Sequence, residues 1–170
     1  MAANATRVLG VDTALRSSGV AVVESRSGRL VPIEYGLIQH PAGWPLSRCL
    51  MSLQKGVASL IARTRPQAAV IEGIFFCKNV RTAVTLGEAR GCVIAACKCA
   101  GMPVFEYSPR RVKQALAGFG AAEKAQVRKM VMSMLGLTEE PEEDAGDALA
   151  LAICHLHNQT RFAELAPEEI

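Results

Sequence analysis

The sequence has few aromatic residues, only three aspartates and no long uncharged segment. Aromatic side chains make up 5% of its 170 residues. No stretch of 18 residues lacks a charged side chain, which excludes a membrane span. Half of the residues are hydrophobic and 21% are charged, so intrinsic disorder is excluded as well. We expect a single domain over residues 1–160, followed by a short tail at 161–170.

The cysteine pattern excludes two common uses of this residue. Six cysteines are present, but none forms a C-x-x-C pair, and the three histidines do not complete a zinc-binding spacing. Most of the cysteines lie among Ala, Val and Ile, where a thiol acts as a small hydrophobic group. The N-terminal segment leads into an apolar strand pattern without a secretory hydrophobic region. We therefore expect free thiols in the cytoplasm, with neither disulfides nor structural zinc.

Charge is distributed unevenly along the chain. Six of the 16 acidic residues lie within residues 139–147, a segment that has no basic residue. The rest of the chain carries 19 basic residues against 10 acidic ones, a balance of +9. Charge alone favours an ordinary, slightly basic surface. The alternative is a basic body that binds a polyanion beside a carboxylate cluster.

Hydrophobic periodicity and turn residues predict three strands followed by alternating helices and strands. The predicted strands are 7–12, 19–24, 30–39, 68–72 and 104–107. The predicted helices are about 45–63, 79–100, 109–118, 121–135 and 144–157. The first three strands have tight connections and predict an antiparallel meander. Together the elements predict an α/β fold with a mixed five-stranded sheet and helices on both faces.

Four carboxylates lie where strands end or a helix begins. Asp12 and Glu72 each end a predicted strand, and Asp144 and Asp147 start the last helix on one side of it. Taken singly, such residues are more often turn formers or helix N-terminal charges. A carboxylate that ends a buried strand is costly unless a cation or hydrogen bonds satisfy it. Jointly they predict a site for divalent ions, and ligands that are all oxygen favour Mg²⁺ or Mn²⁺ over zinc.

An ordered set of motifs spans about residues 7–157. It comprises VLGVD at 8–12 with Gly19, IE-x-x-F at 71–75 with Lys78-Asn79, LG-x-ARG at 86–91, PVFEY at 103–107, VKQ at 112–114, AEK-x-QV at 122–127 and DA-x-DALA at 144–150. The first motif alone has little specificity, but the set together is specific. In these motifs the chain resembles the RuvC family of Holliday-junction resolvases.

The resemblance implies a ribonuclease H-like fold and a magnesium-dependent endonuclease that cuts four-way DNA junctions. It implies a homodimer that places symmetric nicks during recombination and repair, and a branch-migration helicase complex as partner. Two Mg²⁺ ions are implied for each site, with Mn²⁺ as a substitute. The metal ligands that the resemblance implies are Asp12, Glu72, Asp144 and Asp147.

The same resemblance implies roles for other residues. Lys113 and Lys124 match active-site lysines, and Phe75 matches an aromatic residue that acts on bases at the junction. Without the resemblance, Phe75 and its neighbour Phe76 are more simply interpreted as core residues. The chain departs from the family pattern at Thr13-Ala14, where Pro-Gly is common. It departs again at Gly73, where a larger polar residue is frequent.

Basic side chains are concentrated on two consecutive predicted helices. Six of the 19 basic residues lie within residues 110–129. DNA phosphates are their natural partners, and binding should then weaken steeply with salt. A solvated helix face is the alternative interpretation. The predicted DNA contacts are Phe75, Lys78, Arg81, Arg110, Arg111 and Arg128.

Small residues recur every four positions in the helix predicted at 79–100. Ala83, Gly87, Gly91 and Ala95 form this stripe, and each mid-helix glycine costs about 1 kcal/mol relative to alanine. A close approach of another backbone would compensate for that cost. The approaching backbone is either the chain's own sheet or the matching helix of a second subunit. We predict a homodimer with this helix at or beside its interface.

Three other functions deserve comparison. The Gly10-x-Asp12 and Gly19 pattern is also found in actin-like and sugar-kinase ATPases, but those need two lobes, and 170 residues are too few. A nuclease of the same fold could cut flaps or damaged DNA instead of junctions. A non-catalytic junction-binding protein is the third alternative, and the four intact acidic residues argue against it.

Overall fold

The computed structural model describes residues 5–73, 79–161, 167 and 169–170. The strands are β1 (Thr6–Asp12), β2 (Ser17–Arg26), β3 (Arg29–Gln39), β4 (Ala68–Glu72) and β5 (Val104–Tyr107). The helices are α1 (Leu46–Thr64), α2 (Val80–Cys99), α3 (Pro109–Ala117), α4 (Lys124–Leu135) and α5 (Glu143–Arg161). Each predicted element is present within a few residues of its predicted position. None of the described helices is long and apolar enough to cross a membrane.

Two boundaries differ from the prediction for local reasons. Pro45 is the N-cap of α1 rather than its first helical residue, because its backbone is extended. Strand β2 is ten residues long and begins at Ser17, two residues before the strand predicted at 19–24. It pairs with β3 over its full length and with β1 from Gly19 to Ser25, and the pairing with β3 extends it beyond the short apolar run that was visible in the sequence.

The five strands form one mixed sheet in the order β3-β2-β1-β4-β5. Strands β1 and β2 are antiparallel, as are β2 and β3, whereas β1–β4 and β4–β5 are parallel. The predicted meander and mixed sheet are therefore confirmed. Because β1 and β4 are parallel neighbours with Val11 beside Ile71, Asp12 and Glu72 end their strands at the same edge of the sheet.

Helices cover both faces of the sheet, as predicted. On one face Val8 and Val23 pack with Leu149 and Ile153 in a cluster that also includes residues of α3 and α4. On the other face the alternate residues of β1 and β2 pack against α1 and α2. Successive residues of β1 and β2 are apolar, and successive side chains of a strand point to opposite sides. Both faces of the sheet are therefore apolar. The core therefore fixes β1 at the centre of the molecule.

Helix α5 approaches β1 and β2 more closely than side chains would allow. A Cβ atom on Gly10 would overlap the carbonyl oxygen of Ala148, and one on Gly19 would overlap that of Asp144. Glycine at these two strand positions lets the helix backbone lie directly on the strand backbone. Since Gly19 pairs with Asp12 across the β1–β2 ladder, this approach brings the start of α5 to the end of β1.

Strand β5 is joined to α5 by a buried polar contact. The Tyr107 hydroxyl and His155 Nδ1 lie 3.0 Å apart, and the Phe105 and His155 rings are 4.6 Å apart. Burial lowers the pKa of His155 to about 4 and raises the pKa of Tyr107 to about 12. Both side chains are therefore neutral near pH 7, and His155 has a structural position.

The small-residue stripe of α2 does not face the chain's own sheet. The buried residues of this helix are Ala89, Val93, Ala96 and Cys97. Among the described residues, a Cβ atom on Gly87 or Gly91 would meet nothing within 4 Å, and Val80 at the start of the helix is 79% exposed. The interpretation in which the sheet covers the stripe is therefore wrong, and the stripe lies on the outer surface of this chain.

Candidate active site

The four predicted carboxylates lie at one edge of the sheet. Asp12 and Glu72 end the parallel strands β1 and β4. Asp144 and Asp147 lie in the first turns of α5, whose backbone contacts Gly19 directly opposite Asp12. The pKa of Asp12 responds to the charges of all three other carboxylates. Residues from three distant parts of the sequence thus share one acidic site.

Burial and mutual repulsion raise pKa values in this site. Desolvation is the largest cause for Asp12, and the charges of Asp147, Glu72 and Asp144 add to it, so its pKa rises to about 7. The pKa of Glu72 is raised by desolvation and then by Asp147. Desolvation also raises the pKa of Asp147. An additional positive charge would therefore stabilise the ionised form of every one of these groups.

Side chains of the described residues do not form a closed metal-ligand group. No three His, Cys, Asp or Glu residues within the described ranges are arranged tightly enough to hold a metal ion. The donor set nevertheless fits a hard divalent cation. Its oxygens all come from carboxylates, which such ions prefer, and a cation would relieve the repulsion between these negative charges. The carboxylates share an electrostatic environment, because the charges of Asp147, Glu72 and Asp144 all raise the pKa of Asp12.

Lys124 supplies a positive charge beside the carboxylates. Its Nζ lies 2.8 Å from Oε1 of Glu143 and 3.6 Å from Oδ2 of Asp147. The lysine lowers the pKa of Asp12, Glu72 and Asp147. Lys124 begins α4, which packs against α5, so the contact between these helices brings it to the site. The structure therefore places the ammonium group of Lys124 beside the acidic site.

Lys113 occupies a different position. It lies half-buried on α3, and within the described ranges the structure gives no contact between Lys113 and the four carboxylates. Helices α3 and α4 both pack on α5. The structure therefore places Lys124 at the acidic site but not Lys113. The roles of both lysines stay predictions.

The predicted DNA contacts are spread over several elements. Arg110 is exposed on α3, Arg111 lies over the Tyr107 ring at 5.5 Å, and Arg128 pairs with Glu140 at 2.6 Å. Arg81 is exposed near the start of α2. The predicted contacts Phe75 and Lys78 lie outside the described residues.

Two supporting side chains were missed by the sequence analysis. The Ser17 hydroxyl donates a hydrogen bond to Oδ2 of Asp144 at 2.8 Å. Arg90 donates to the backbone carbonyl of Glu72 and forms an ion pair with Glu106. Arg90 belongs to the LG-x-ARG motif, which is the sequence feature that could have identified it. No local pattern marks Ser17, because its partner lies 127 residues away.

The sheet order and the acidic edge define a class of protein. A mixed five-stranded sheet with its first three strands in a meander, flanked by helices and carrying carboxylates at the ends of β1 and β4, is the architecture of ribonuclease H-like nucleases. The family described as "Crossover junction endodeoxyribonuclease RuvC" matches residues 8–155. The chain belongs to this RuvC family, as the sequence motifs predicted.

Named relatives agree with this membership over nearly their whole length. The chain is 46% identical to "Crossover junction endodeoxyribonuclease RuvC" of Chloroflexus aurantiacus over 152 residues, which cover 89% of this chain and 93% of the relative. It is 45% identical to the protein of the same name from Alkalilimnicola ehrlichii over 159 residues, 94% of this chain and 96% of the relative. This membership decides against the ATPase interpretation.

Solved structures agree as well. The Thermus thermophilus RuvC structure superposes with a TM-score of 0.86 and 32% identity, covering 96% of this chain and all of that one. A structure described as T. thermophilus RuvC in complex with Holliday junction substrate superposes with a TM-score of 0.86 at 28% identity, covering 97% and 99%. The ribonuclease H-like fold prediction is thereby confirmed.

Proposed function

We propose that this chain is a structure-selective endonuclease that hydrolyses phosphodiester bonds in four-way DNA junctions. The observation that carries the proposal is the convergence of Asp12, Glu72, Asp144 and Asp147 on one edge of the sheet in a chain of the RuvC family. The relative of known structure that was solved with a Holliday junction substrate supports the choice of DNA. The products are symmetric nicks made during recombination and repair.

Mg²⁺ is the proposed cofactor, with Mn²⁺ as a substitute and two ions in each site. Asp12, Glu72, Asp144 and Asp147 would hold them through carboxylate oxygens, the ligands that these ions prefer. Bound at such a site, a divalent ion polarises a phosphate oxygen and makes water a better nucleophile. The raised pKa of Asp12, about 7, supports this assignment because a cation would relieve the repulsion that contributes to it.

The chain's own side chains orient the carboxylates and balance their charge. Ser17 holds one oxygen of Asp144, and Arg90 holds the backbone of Glu72. Lys124 is exposed enough to exchange its contact with Glu143 for a phosphate oxygen of DNA. There its ammonium group would stabilise negative charge that develops on the scissile phosphate. Lys113, the other lysine that matches the active-site lysines of the family, would contact a DNA phosphate further from the carboxylates.

Two features of the assembly are also proposals. The outer surface of α2, with Gly87 and Gly91, would contact the matching helix of a second copy. A four-way junction presents two equivalent strands, so paired cuts need two sites related by a two-fold axis. Because family members work with a branch-migration helicase complex, we propose the same kind of partner for this chain. We also propose that residues 1–160 form a single domain, followed by a short tail at 161–170.

A cleavage comparison tests the proposal. Purified protein would be incubated with Mg²⁺ and one of three labelled DNAs: a four-way junction, a flap or a linear duplex. We expect paired nicks in the junction and little cutting of the other two. Asp12→Asn should bind the junction without cutting it, because the change removes one negative charge and preserves side-chain size. Preferred cutting of flaps would favour the other nuclease function, and wild-type cutting by Asp12→Asn would contradict the proposed site.

A further inference from the structure

Phe119 is a large apolar side chain that the fold leaves half exposed. Its ring is 50% exposed in the connection between α3 and α4. A single exposed hydrophobic residue is common on protein surfaces, so exposure alone carries no conclusion. The surroundings of this residue and the way its loop is held are what distinguish it.

The loop around Phe119 is held by backbone hydrogen bonds. Gly118 caps α3 in the left-handed region, with φ of 85°, and its N–H donates to the carbonyl of Gln114 at 3.0 Å. The Phe119 carbonyl accepts from the N–H of Ala122 at 3.3 Å. Ala122 is itself buried in the core. The turn therefore presents the aromatic ring from an anchored backbone.

A basic side chain lies against this turn. From Ser108 to Ala122 the chain has three basic residues, and the next acidic residue is Glu123. Gly120 lies against one of them: a Cβ atom there would be 2.5 Å from Cγ and 3.1 Å from Nε of Arg110. Because glycine leaves this space, the Arg110 side chain lies against the loop. A positive charge and an exposed ring thus share one surface, a combination that suits nucleic acid.

The same turn leads directly to the candidate active site. Only five peptide units separate Phe119 from Lys124, so their Cα atoms are at most about 18 Å apart. Lys124 Nζ lies 3.6 Å from Asp147. If a DNA phosphate lies at the carboxylates, nucleotides a few positions away along the same DNA strand are therefore within reach of Phe119.

We infer that Phe119 is a DNA-contacting residue that stacks on an exposed base of branched DNA while Arg110 contacts the adjacent phosphate. Stacking on an aromatic ring tolerates any base, because every base has a flat face. The contact would fix the distance between a base near the branch point and the carboxylates. This inference rests on the proposed function and adds a positioning residue to it.

A tryptophan reporter tests the inference directly. The chain has one tryptophan, Trp44, so Trp44→Phe combined with Phe119→Trp gives a single reporter in the turn. Asp12→Asn is included so that the DNA is not cut. Junction binding is followed by anisotropy of labelled DNA and, in the same titration, by tryptophan fluorescence. We expect at least twofold quenching that saturates together with the anisotropy.

The matched control places the reporter on β3, an edge strand of the sheet. Tyr35 on β3 is 39% exposed, and Tyr35→Trp in the same background should show no quenching on binding. Binding of the junction without quenching of residue 119 would overturn the inference and leave the proposed function intact. Absence of junction binding by every variant and by the wild type would instead contradict the proposed function, and the inference with it.

Substitutions in the otherwise unchanged protein give a second measurement that does not depend on replacing Trp44. Phe119→Ala should weaken junction binding about tenfold, and Phe119→Tyr should retain wild-type binding because it keeps a flat ring. Tyr35→Ala removes an aromatic residue of similar exposure and should change nothing. Equal binding by Phe119→Ala and the wild type would overturn the inference, provided that both unfold at the same temperature.

Discussion

The Ser17 hydroxyl holds Oδ2 of Asp144 at 2.8 Å, although 127 residues separate the two in the sequence. The bond joins the first residue of β2 to the first turn of α5. It therefore limits the orientations that the Asp144 carboxylate can adopt beside Asp12.

Ser17→Ala should disturb that orientation without unfolding the protein. We expect a loss of about 1 kcal/mol in the free energy of unfolding, the usual contribution of one such bond. The maximal rate of junction cutting should fall several-fold, and more Mg²⁺ should be needed for half-maximal cutting. Ser25→Ala, near the other end of β2, is the control. Identical Mg²⁺ titrations for Ser17→Ala and the wild type would contradict a positioning role.

Gly19→Ala should be much more damaging than its size suggests. The added Cβ atom would overlap the carbonyl oxygen of Asp144, which belongs to helix backbone and cannot rotate away. We expect the free energy of unfolding to fall by at least about 2 kcal/mol, together with loss of cutting. Gly36→Ala on β3, where a Cβ atom meets nothing within 4 Å, is the matched control in chemical denaturation. Similar denaturation curves for the two variants would contradict the direct contact between the backbones of α5 and β2.

Lys124→Ala should slow cutting even when all the DNA is bound. Its Nζ lies beside Asp147, where it can stabilise charge at the scissile phosphate, so we expect a rate at least about tenfold lower. Lys129→Ala, an exposed lysine on the same helix, should lower affinity at most slightly. Single-turnover rates at saturating protein separate these effects. If Lys124→Ala changed only the affinity and its salt dependence, the lysine would be a simple phosphate contact.

His155 should make the protein less stable in mild acid. Its pKa is about 4 in the folded chain and about 6.5 when unfolded. Below pH 6.5 the unfolded state therefore takes up a proton that the folded state does not. The contribution of His155 to the free energy of unfolding is therefore full above pH 6.5 and falls by about 3 kcal/mol as the pH drops to 4. The raised pKa of Asp12, about 7, acts in the opposite direction over the same range, so the effect of His155 is read from the difference between a His155 variant and the wild type.

His155→Gln tests that pH dependence. Glutamine keeps a polar group near Tyr107 but does not titrate, so the variant should lose less stability between pH 6.5 and 4. Urea denaturation of both proteins across this range gives the difference. Parallel pH curves for the variant and the wild type would contradict the assignment to His155.

A charged side chain on the outer surface of α2 should prevent the proposed dimer. Gly91→Arg places its side chain in open space in one chain, so folding should be retained. We expect sedimentation to show a dimer for the wild type and a monomer for Gly91→Arg at micromolar concentration. Gly43→Arg, in a loop where a Cβ atom also meets nothing, is the control. A wild-type monomer, both free and on a four-way junction, would contradict the dimer.

The sequence revealed the fold and the acidic residues for the same physical reason. Short continuous apolar runs mark buried strands, and Asp12 and Glu72 were recognisable because each ends such a run. Neighbouring parallel strands then bring their ends together. Ser17 could not be found in this way, because its role depends on a hydrogen bond formed only after folding. The outward direction of Gly87 and Gly91 also required the structure, since spacing alone fits either face of a helix.

The direct contact of α5 with Gly10 and Gly19 has a consequence for protein engineering. The helix that carries Asp144 and Asp147 also supplies Leu149 and Ile153 to the core, so one rigid element serves both chemistry and folding. Substitutions of its core residues that raise thermal stability would also move the helix, and the two aspartates would move with it. Stabilising substitutions should therefore be sought in α1, and libraries that vary α5 should be screened for cutting and melting temperature together.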